Sequence, residues 1–312
     1  MPPIATSRIA NTRIALCFAV SALLISAAAI EASEFYEHWG DGRAEVSSYT
    51  VLQSRYGEAR EGYGVLVFVT EDIDRNTLIK VESHREPESR IYTLKLNNVL
   101  KFTTGIYDYS VMTSVFSAVE SAGGKPFEVR KITLSAQEWC GHVFEEVRFG
   151  EDGRIRGDLN SYFEREGKQQ YQLDIADRSR FQSEDHLLIA IRELMGPLMG
   201  AGEHRAITLL PSLWHFRVRH APRALVEATL SKGEAEVLTV AGEPMEAIAW
   251  RWHAVDAEID KTVWVETAQP HRILAWKDAV GGRGELLKTV RLPYWQLHAN
   301  ADLVYRDSLG LP

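Results

Sequence analysis

Short runs of alternating apolar and polar residues, separated by turn residues about every ten positions, constrain the fold of the second half of this chain most strongly. The runs are Leu225–Leu230, Glu236–Val240, Ala247–Val255, Thr262–Glu266, Arg272–Lys277 and Glu285–Val290. Turn residues separate them at Lys232-Gly233, Gly242-Glu243-Pro244, Asp256–Asp260, Gln269-Pro270 and Gly281-Gly282. This spacing is typical of an antiparallel barrel or sandwich, and helical patterns are too few for a doubly wound α/β sheet.

The first half carries strand patterns as well. Val65–Val69 is a continuous apolar run that suits a strand covered on both faces, whereas Ile91–Leu96 and Gln169–Ile175 alternate. Tyr109–Val119 fits either a short helix or a strand, and its pattern does not separate the two. We therefore expect the first half to continue the same curved sheet.

Two segments favour helices. Ser33 can cap a short helix that ends after Trp39, where Gly-Asp-Gly follows. Residues 184–200 predict a longer helix, with Ser183 as its N-cap. Its apolar stripe comprises Leu187, Leu188, Ile191 and Leu194. This second helix would divide the two strand-rich halves.

These patterns together predict a mainly β fold, in which a curved antiparallel sheet forms an open or half barrel with one or two short helices. A length of 312 residues allows one large domain or two ordinary ones. We expect residues 33–312 to form a single domain. The alternative is two β halves, 33–182 and 201–312, joined by the helix at 184–200.

The first 32 residues have the pattern of a secretory signal peptide. Arg8 and Arg13 precede an apolar run over 14–30, and small residues follow at the expected cleavage positions. The alternative is an uncleaved membrane anchor, because the run approaches the length of a short transmembrane helix. Cleavage predicts a periplasmic or secreted bacterial protein without a stable membrane anchor.

Charge and cysteine content narrow the function further. The formal net charge of −8 offers no basic field for nucleic acid, so we expect no nucleic-acid partner. Of the two cysteines, only Cys140 lies beyond the predicted leader. No disulfide can therefore form within the mature chain, and its stability must come from burial.

Residues 135–143 are the most suggestive segment for catalysis. As a strand, they would place Glu138, Cys140 and His142 on one face, with neighbours about 7 Å apart. A carboxylate, a thiol and an imidazole are the groups of a cysteine nucleophile with its base, and also a partial set of metal ligands. The alternative is a small buried thiol beside Trp139. No second pair with metal-ligand spacing occurs, so we predict neither a metal nor a cofactor.

A local basic cluster over 204–223 interrupts the acidic background. As part of a strand, His215, Arg217 and Arg219 would share a face that could clamp a phosphate or carboxylate by forked hydrogen bonds. The alternative is a solvated face whose arginines pair with nearby acids.

Tryptophans are concentrated in the C-terminal strands. Trp250 and Trp252 lie two residues apart, so they share a face of a strand. On the concave side of a curved sheet they would line an apolar cavity. The alternative is a fully packed core.

Five motifs are spread over most of the chain: Phe35–Gly42, Ser54–Gly57, Thr104–Tyr109, Gln137–His142 and Arg291–Trp295. In these motifs the chain resembles a group of uncharacterised exported bacterial proteins, some of which carry a septum-formation-inhibitor label. That group has no established chemistry, so the resemblance implies export alone. In architecture alone, the C-terminal strands resemble the open β-barrels of periplasmic lipid and lipoprotein carriers, and a shared architecture does not fix a function.

We therefore expect a soluble, non-catalytic binding protein of the bacterial envelope. Its ligand would be a lipid, a lipidated peptide or a glycan fragment, with the apolar part on Trp250 and Trp252 and an anionic group at the basic cluster. The alternatives are a hydrolase or transferase that uses Cys140 and His142, with Glu138 in support, and a structural partner protein.

Overall fold

Strands make up most of the protein. The computed structural model describes residues 31–120 and 125–312. The strands of the first half are β1 (Ala44–Arg55), β2 (Glu58–Asp74), β3 (Arg90–Thr104), β4 (Tyr107–Ala118), β5 (Glu128–Glu138), β6 (Gly141–Phe149), β7 (Arg154–Ser161) and β8 (Lys168–Asp174). Those of the second half are β9 (Phe181–Ser183), β10 (His204–Leu210), β11 (Val226–Val240), β12 (Glu243–Ala254), β13 (Ile259–Glu266), β14 (Ile273–Asp278) and β15 (Arg283–Leu292).

Within the described residues, four short helices accompany the strands. They are α1 (residues 31–39), α2 (Glu184–Ala190), α3 (Leu213–Arg219) and α4 (Val304–Ser308). Three 3-10 segments lie at Pro87–Ser89, Tyr294–Gln296 and Asn300–Leu303. In the described part of the chain, no helix has the length and apolar character needed to cross a membrane. The predicted signal peptide falls on residues 1–30, outside the described residues, and on the first two residues of α1.

All the described strands belong to one sheet, in the order β8-β7-β6-β5-β4-β3-β2-β1-β15-β14-β13-β12-β11-β10-β9. Neighbours are antiparallel except β9 and β10, which are parallel. The two halves meet where β1 pairs with β15, from Ala44 opposite Leu292 to Leu52 opposite Arg283. The sheet is curved and is not closed into a barrel, which confirms the predicted mainly β, open architecture, with four short helices where one or two were expected.

The two edges of the sheet lie close to each other. Strand β8 ends at Asp174 and β9 begins at Phe181, so the connection spans at most about 25 Å. The Phe149 and Phe181 rings contact across the gap, with centroids 6.0 Å apart. Arg178 in the connection reaches Glu128, with 2.9 Å between Nη2 and Oε1. The curved sheet therefore encloses most of its concave side.

Hairpin turns alternate between two ends of the sheet, because successive strands run in opposite directions. We name one end the mouth end. It carries α3 and the turns at 56–57, 105–106, 139–140, 162–167, 255–258 and 279–282. The other is the base end, with α1 and the turns at 150–153, 175–180, 241–242 and 267–272 among its described elements.

Helix α2 fills the concave side. It begins at the mouth end, and Leu187, Leu188 and Ile189 are buried in the main core. The chain then reaches the base end, where Arg192 and Glu45 form a fully buried ion pair with 2.9 Å between Nη1 and Oε1. The guanidinium also lies 4.2 Å from the Phe68 ring centroid. The base end is therefore closed by packed side chains.

The C-terminal segment covers part of the convex side. Leu309, just after α4, packs against Val46, Val65, Val67 and Val69, and its carbonyl accepts a hydrogen bond of 2.5 Å from the Ser48 hydroxyl. On the concave side of the same strand, Leu66 and Phe68 belong to the main core. Burial of Val65–Val69 on both faces, as the sequence predicts, is confirmed.

Three predictions about local structure are corrected or resolved. The helix predicted over 184–200 ends at Ala190, because Glu193 and Gly196 take positive φ angles that a helix cannot contain. Ser183 precedes it without a side-chain capping bond. The turn predicted at Lys232-Gly233 is a bulge inside the continuous strand β11. The ambiguous segment Tyr109–Val119 lies almost entirely in strand β4.

Candidate functional site

A cavity of about 190 Å³ lies on the concave side at the mouth end. It is bounded by β1–β4, the start of α2, α3 and the turns that flank β13 and β14. Its apolar wall comprises Leu66, Leu100, Val111, Leu188, Trp214 and Trp276. Polar side chains also line it, among them Gln53, Asn98 and Thr113. A concave pocket that combines apolar walls with polar groups is the usual form of a small-molecule site.

Charged side chains surround the entrance of this cavity. Arg219 at the end of α3 pairs with Glu258 of the 255–258 turn. Lys261 Nζ lies 3.8 Å from Glu184 Oε1. The other Glu184 oxygen, Oε2, accepts a hydrogen bond of 3.0 Å from the Ser212 backbone N–H. The entrance therefore presents ion pairs rather than an isolated charge.

Asp185 is the most perturbed acid of the cavity wall. It is buried, and its Oδ2 accepts a hydrogen bond of 2.9 Å from the Leu213 backbone N–H, which joins α2 to α3. Burial raises the pKa of Asp185 to about 7, because removal from water disfavours the carboxylate. Near neutral pH, this side chain can therefore either donate or accept a hydrogen bond in the cavity.

Two histidines near the cavity are held in their neutral form. Burial lowers the pKa of His215, which lines the cavity from α3. Burial also lowers the pKa of His186 to about 4. The His186 Nε2 atom lies 2.9 Å from the Ser117 hydroxyl. Neither ring adds a positive charge near neutral pH, so the entrance has no surplus of cations.

Trp250 and Trp252 do share a face of β12, but they do not line the cavity. Both side chains are buried in the main core. The ammonium groups of Lys232 and Lys261 lie 5.2 Å and 5.8 Å from their ring centroids, respectively. The structure thus places them in the packed core that was the alternative. Trp214 and Trp276 occupy the cavity wall instead.

The basic cluster is not a strand face. His215, Arg217 and Arg219 lie on helix α3, so Arg217 points into the core while Arg219 is exposed. Arg217 Nη2 lies 3.1 Å from Glu138 Oε1. Its Nη1 lies 3.8 Å from Glu166 Oε1. Both arginines are paired with acids, as the alternative states: Arg217 in a buried setting, and Arg219 with Glu258 in an exposed one.

The strand predicted over 135–143 is also wrong. It is a hairpin, with Trp139 and Cys140 in the turn between β5 and β6. Glu138 is buried against Arg217, whereas Cys140 and His142 are exposed. A two-residue turn reverses the chain, so these three side chains do not share one strand face. His142 instead borders a separate, more open hollow of about 700 Å³ on the sheet surface.

The sequence does not indicate that Asp185, Trp214 and Lys261 line a cavity, whereas Trp276 belongs to the C-terminal group of tryptophans. Asp185 has no local signal of burial, because the fold that buries it is not local. Trp214 lies on α3, which the sequence predicts as part of a strand. The only local signal for α3 is Ser212, whose hydroxyl accepts a hydrogen bond of 3.0 Å from the His215 N–H.

In the described part of the chain, no group of three or more His, Cys, Asp and Glu side chains is placed to hold a metal ion. Comparison with protein-family models, curated proteins and solved structures finds no match.

Proposed function

We propose that this chain is an exported, soluble protein of the bacterial envelope that binds a small amphipathic ligand in the mouth-end cavity without changing it chemically. The observation that carries the proposal is the cavity itself, with an apolar wall inside the sheet and a polar entrance at one end. A largely pre-formed pocket of this kind is the default binding site in a protein.

The size of the cavity limits the ligand. Apolar cavities of about 150 Å³ accommodate a molecule of the size of benzene. At about 190 Å³, this cavity takes a short acyl chain or an aromatic ring, but not a whole diacyl lipid. A longer chain would have to extend through the entrance. The ligand class is therefore a short-chain lipid or the acyl end of a lipidated molecule.

The entrance favours a hydroxyl or amine head group. Glu184, Asp185 and Glu258 provide carboxyl groups, and the cations Lys261 and Arg219 are already paired with two of them. An anionic head group would compete with these pairs, whereas a hydroxyl or an amine can hydrogen-bond to Asp185. This assignment replaces the anion expected at Arg217 and Arg219.

Several features support binding without catalysis. Cys140 lies at the tip of a hairpin and is not among the residues that line the cavity. Arg217 and Glu138 neutralise each other in the core.

Export rests on the leader pattern in residues 1–32. Mass spectrometry of protein purified from the envelope fraction should find an amino terminus near residue 33, and an intact precursor in the cytosol would contradict export.

Titration calorimetry with eight-carbon amphiphiles tests the ligand site. We expect octanol and octylamine to bind, and octanoate to bind at least tenfold more weakly. Val111 lies on the cavity wall, so Val111→Phe fills the space and should lower octanol affinity at least tenfold. Val237→Phe adds the same ring at an exposed position and should leave the affinity unchanged.

The control for folding is thermal unfolding of both variants. Equal octanol affinity in a folded Val111→Phe variant and in Val237→Phe would contradict the site. Absence of binding by all three amphiphiles in the unmodified protein would contradict the ligand class.

A further inference from the structure

Each of the hairpin turns that define the mouth end carries a large apolar side chain exposed to solvent. These residues, which we name the rim, are Tyr56, Ile106, Trp139, Tyr162, Val255 and Val280, and each is 53–83% exposed. Turns normally carry Gly, Pro, Asn, Asp or Ser. At the base end, Ile79 in the connection 75–89 is 62% exposed, but the turns at 150–153, 241–242 and 267–272 expose no large apolar side chain. An exposed large apolar side chain in every turn is therefore a property of the mouth end.

Contacts within the protein hold the aromatic rim residues in place. The Arg55 guanidinium lies 4.2 Å from the Tyr56 ring centroid, and the Tyr56 hydroxyl lies 3.0 Å from that of Tyr109. The Trp139 ring contacts the Tyr107 ring at a centroid distance of 6.4 Å. The exposed rings are thus supported from one side and do not depend on a partner for their position.

Tyr162 packs directly on a strand backbone. A Cβ atom at Gly141 would lie 2.5 Å from the Tyr162 Cδ1 atom, so glycine is what lets the ring rest there. The Tyr162 N–H also donates a hydrogen bond of 3.0 Å to the His142 carbonyl. The close approach presents an exposed ring at the mouth end.

The backbone conformation of Tyr56 is a second, independent indication that this rim residue has a role outside folding. Tyr56 and Gly57 have φ angles of 56° and 77° in the two-residue turn between β1 and β2. Turns with two positive φ angles strongly favour Asn-Gly or Gly-Gly, and a bulky residue there is strained. Strained residues are concentrated at functional sites, so the tyrosine at this tip points to a role outside folding.

The rim lies at the same end of the sheet as the cavity. Val280 itself lines the cavity, and Val255 shares its turn with Glu258, which also lines it. The rim side chains are carried by separate turns around a curved sheet rather than by one flat patch. Several separate apolar tips suit a fluid surface better than a rigid protein, which needs a contiguous, complementary patch.

The charges and side-chain types of the rim indicate which kind of fluid surface it fits. The exposed charges in the rim turns nearly balance: Glu164 and Asp256 are acidic, Arg165 is basic, and Glu258 is paired with Arg219. Trp and Tyr are the residues that lie at the head-group level of bilayers, since their rings are apolar with one polar atom. A rim without surplus positive charge fits a zwitterionic membrane surface.

We propose that the rim docks this protein reversibly on a zwitterionic lipid bilayer, with the cavity entrance facing the membrane. Docking is driven by insertion of the rim side chains and is insensitive to salt, because no cluster of basic residues takes part. The proposal does not depend on the ligand of the cavity, since the rim residues other than Val280 lie outside the cavity lining.

Cys140 provides a natural labelling site at the rim. The full chain with Cys17→Ser has Cys140 as its one thiol. An environment-sensitive fluorophore attached to Cys140 then reports whether the mouth end enters the bilayer. The comparison protein carries Cys17→Ser, Cys140→Ser and Asp152→Cys, which moves the label to an exposed base-end turn. With phosphatidylcholine vesicles, we expect a blue shift at position 140, none at 152, and the same shift at 0.05 M and 0.5 M salt. No shift at 140, or equal shifts at both positions, would overturn the proposal.

A matched pair of triple variants tests the rim residues themselves. Tyr56→Ser, Trp139→Ser and Tyr162→Ser together should lower vesicle partitioning at least tenfold in a sedimentation assay. The control is the triple serine variant of Leu303, Val304 and Tyr305, which are also exposed apolar residues but lie in the C-terminal segment. We expect the control to partition like the unmodified protein.

Three results with these variants would overturn the proposal. One is loss of partitioning in the control and not in the rim variant. Another is stronger partitioning on vesicles with 30% phosphatidylglycerol together with loss in 0.5 M salt, which would indicate electrostatic binding. The last is a dimer in analytical ultracentrifugation that only the rim variant abolishes, without vesicle binding, which would assign the rim to self-association.

Discussion

The two ends of the sheet are built from the same strands, but large side chains are buried at one end and exposed at the other. At the base end, Trp39 and Phe68 pack around the buried pair of Arg192 and Glu45. At the mouth end, tryptophan and tyrosine stand in solvent at the tips of turns, and a cavity lies behind them. The base end is therefore closed by packed side chains, whereas the mouth end keeps open space that a ligand can enter.

Helix α2 connects the two ends. Its first turn supplies Glu184 and Asp185 to the cavity, and the chain just after it supplies Arg192 to the closed base. The polar groups at both places are buried, but only those at the mouth end border open space. The same short segment thus serves stability at one end and binding at the other.

The largest expected effect is at the buried ion pair of the base end. Arg192→Met leaves the Glu45 carboxylate buried without its partner, which should lower the free energy of unfolding by about 3–5 kcal/mol in denaturant titrations. Arg205→Met removes an arginine from an exposed pair with Glu203 and should change the free energy of unfolding by less than about 1 kcal/mol. Equal effects of the two variants would mean that the base end is not sealed by this pair.

Two tryptophans sharpen the comparison further. Trp39 is 1% exposed and Trp139 is 71% exposed. Trp39→Ala removes core packing and should lower the free energy of unfolding by about 3–5 kcal/mol. Trp139→Ala should change the free energy of unfolding by no more than about 0.5 kcal/mol. A large loss of stability in Trp139→Ala would show that the rim is part of the folding core, which contradicts the division of the ends.

Asp185 predicts a pH dependence at the mouth end. Burial raises its pKa from 3.8 to about 7, so the folded state binds this proton more tightly than the unfolded state does. The stabilisation is fully present below pH 4 and is lost as the pH rises through 7. Relative to Asp185→Asn, the unmodified protein should lose about 2 kcal/mol of stability between pH 5 and pH 8. A constant difference between the two proteins over this range would contradict the buried, protonated state.

The smallest effects come from two glycines that each lie under a tyrosine ring. A Cβ at Gly157 would meet the Tyr171 ring at 2.0 Å, and that ring is held by a hydrogen bond of 2.7 Å to buried Glu145. Gly157→Ala should therefore cost about 1–2 kcal/mol in thermal unfolding. Gly141→Ala displaces only the exposed Tyr162 ring and should cost less than about 1 kcal/mol. The reverse order would show that Tyr162 is fixed as firmly as Tyr171.

The architecture was predictable because strands and turns leave local patterns. Alternation and turn residues predicted most of the second-half strands, and the apolar run Val65–Val69 correctly indicated burial on both faces. The failures have a physical cause. Lys232-Gly233 looks like a turn, but pairing with β12 keeps the chain extended through a bulge. Residues 213–219 alternate like a strand, and only a cap and the packing of Arg217 against Glu138 identify a helix.

The candidate site was much less predictable. Its walls come from β1–β4, two helices and the turns around β13 and β14, so no short motif contains it. The residues that the sequence favoured were chosen for chemical type: Trp250 and Trp252 are buried core, and Cys140 occupies a turn. The rim had a local signal in Tyr56-Gly57 and Gly105-Ile106, where large apolar residues stand beside turn glycines. That signal has meaning only once the topology places all of these turns at one end.

A crystal structure of the protein grown with saturating octanol would test the central claim most directly. The account predicts density for the alkyl chain between Trp214 and Trp276 and for the hydroxyl within hydrogen-bond distance of Asp185. An empty cavity with octanol bound elsewhere, or side chains collapsed into the cavity, would contradict it.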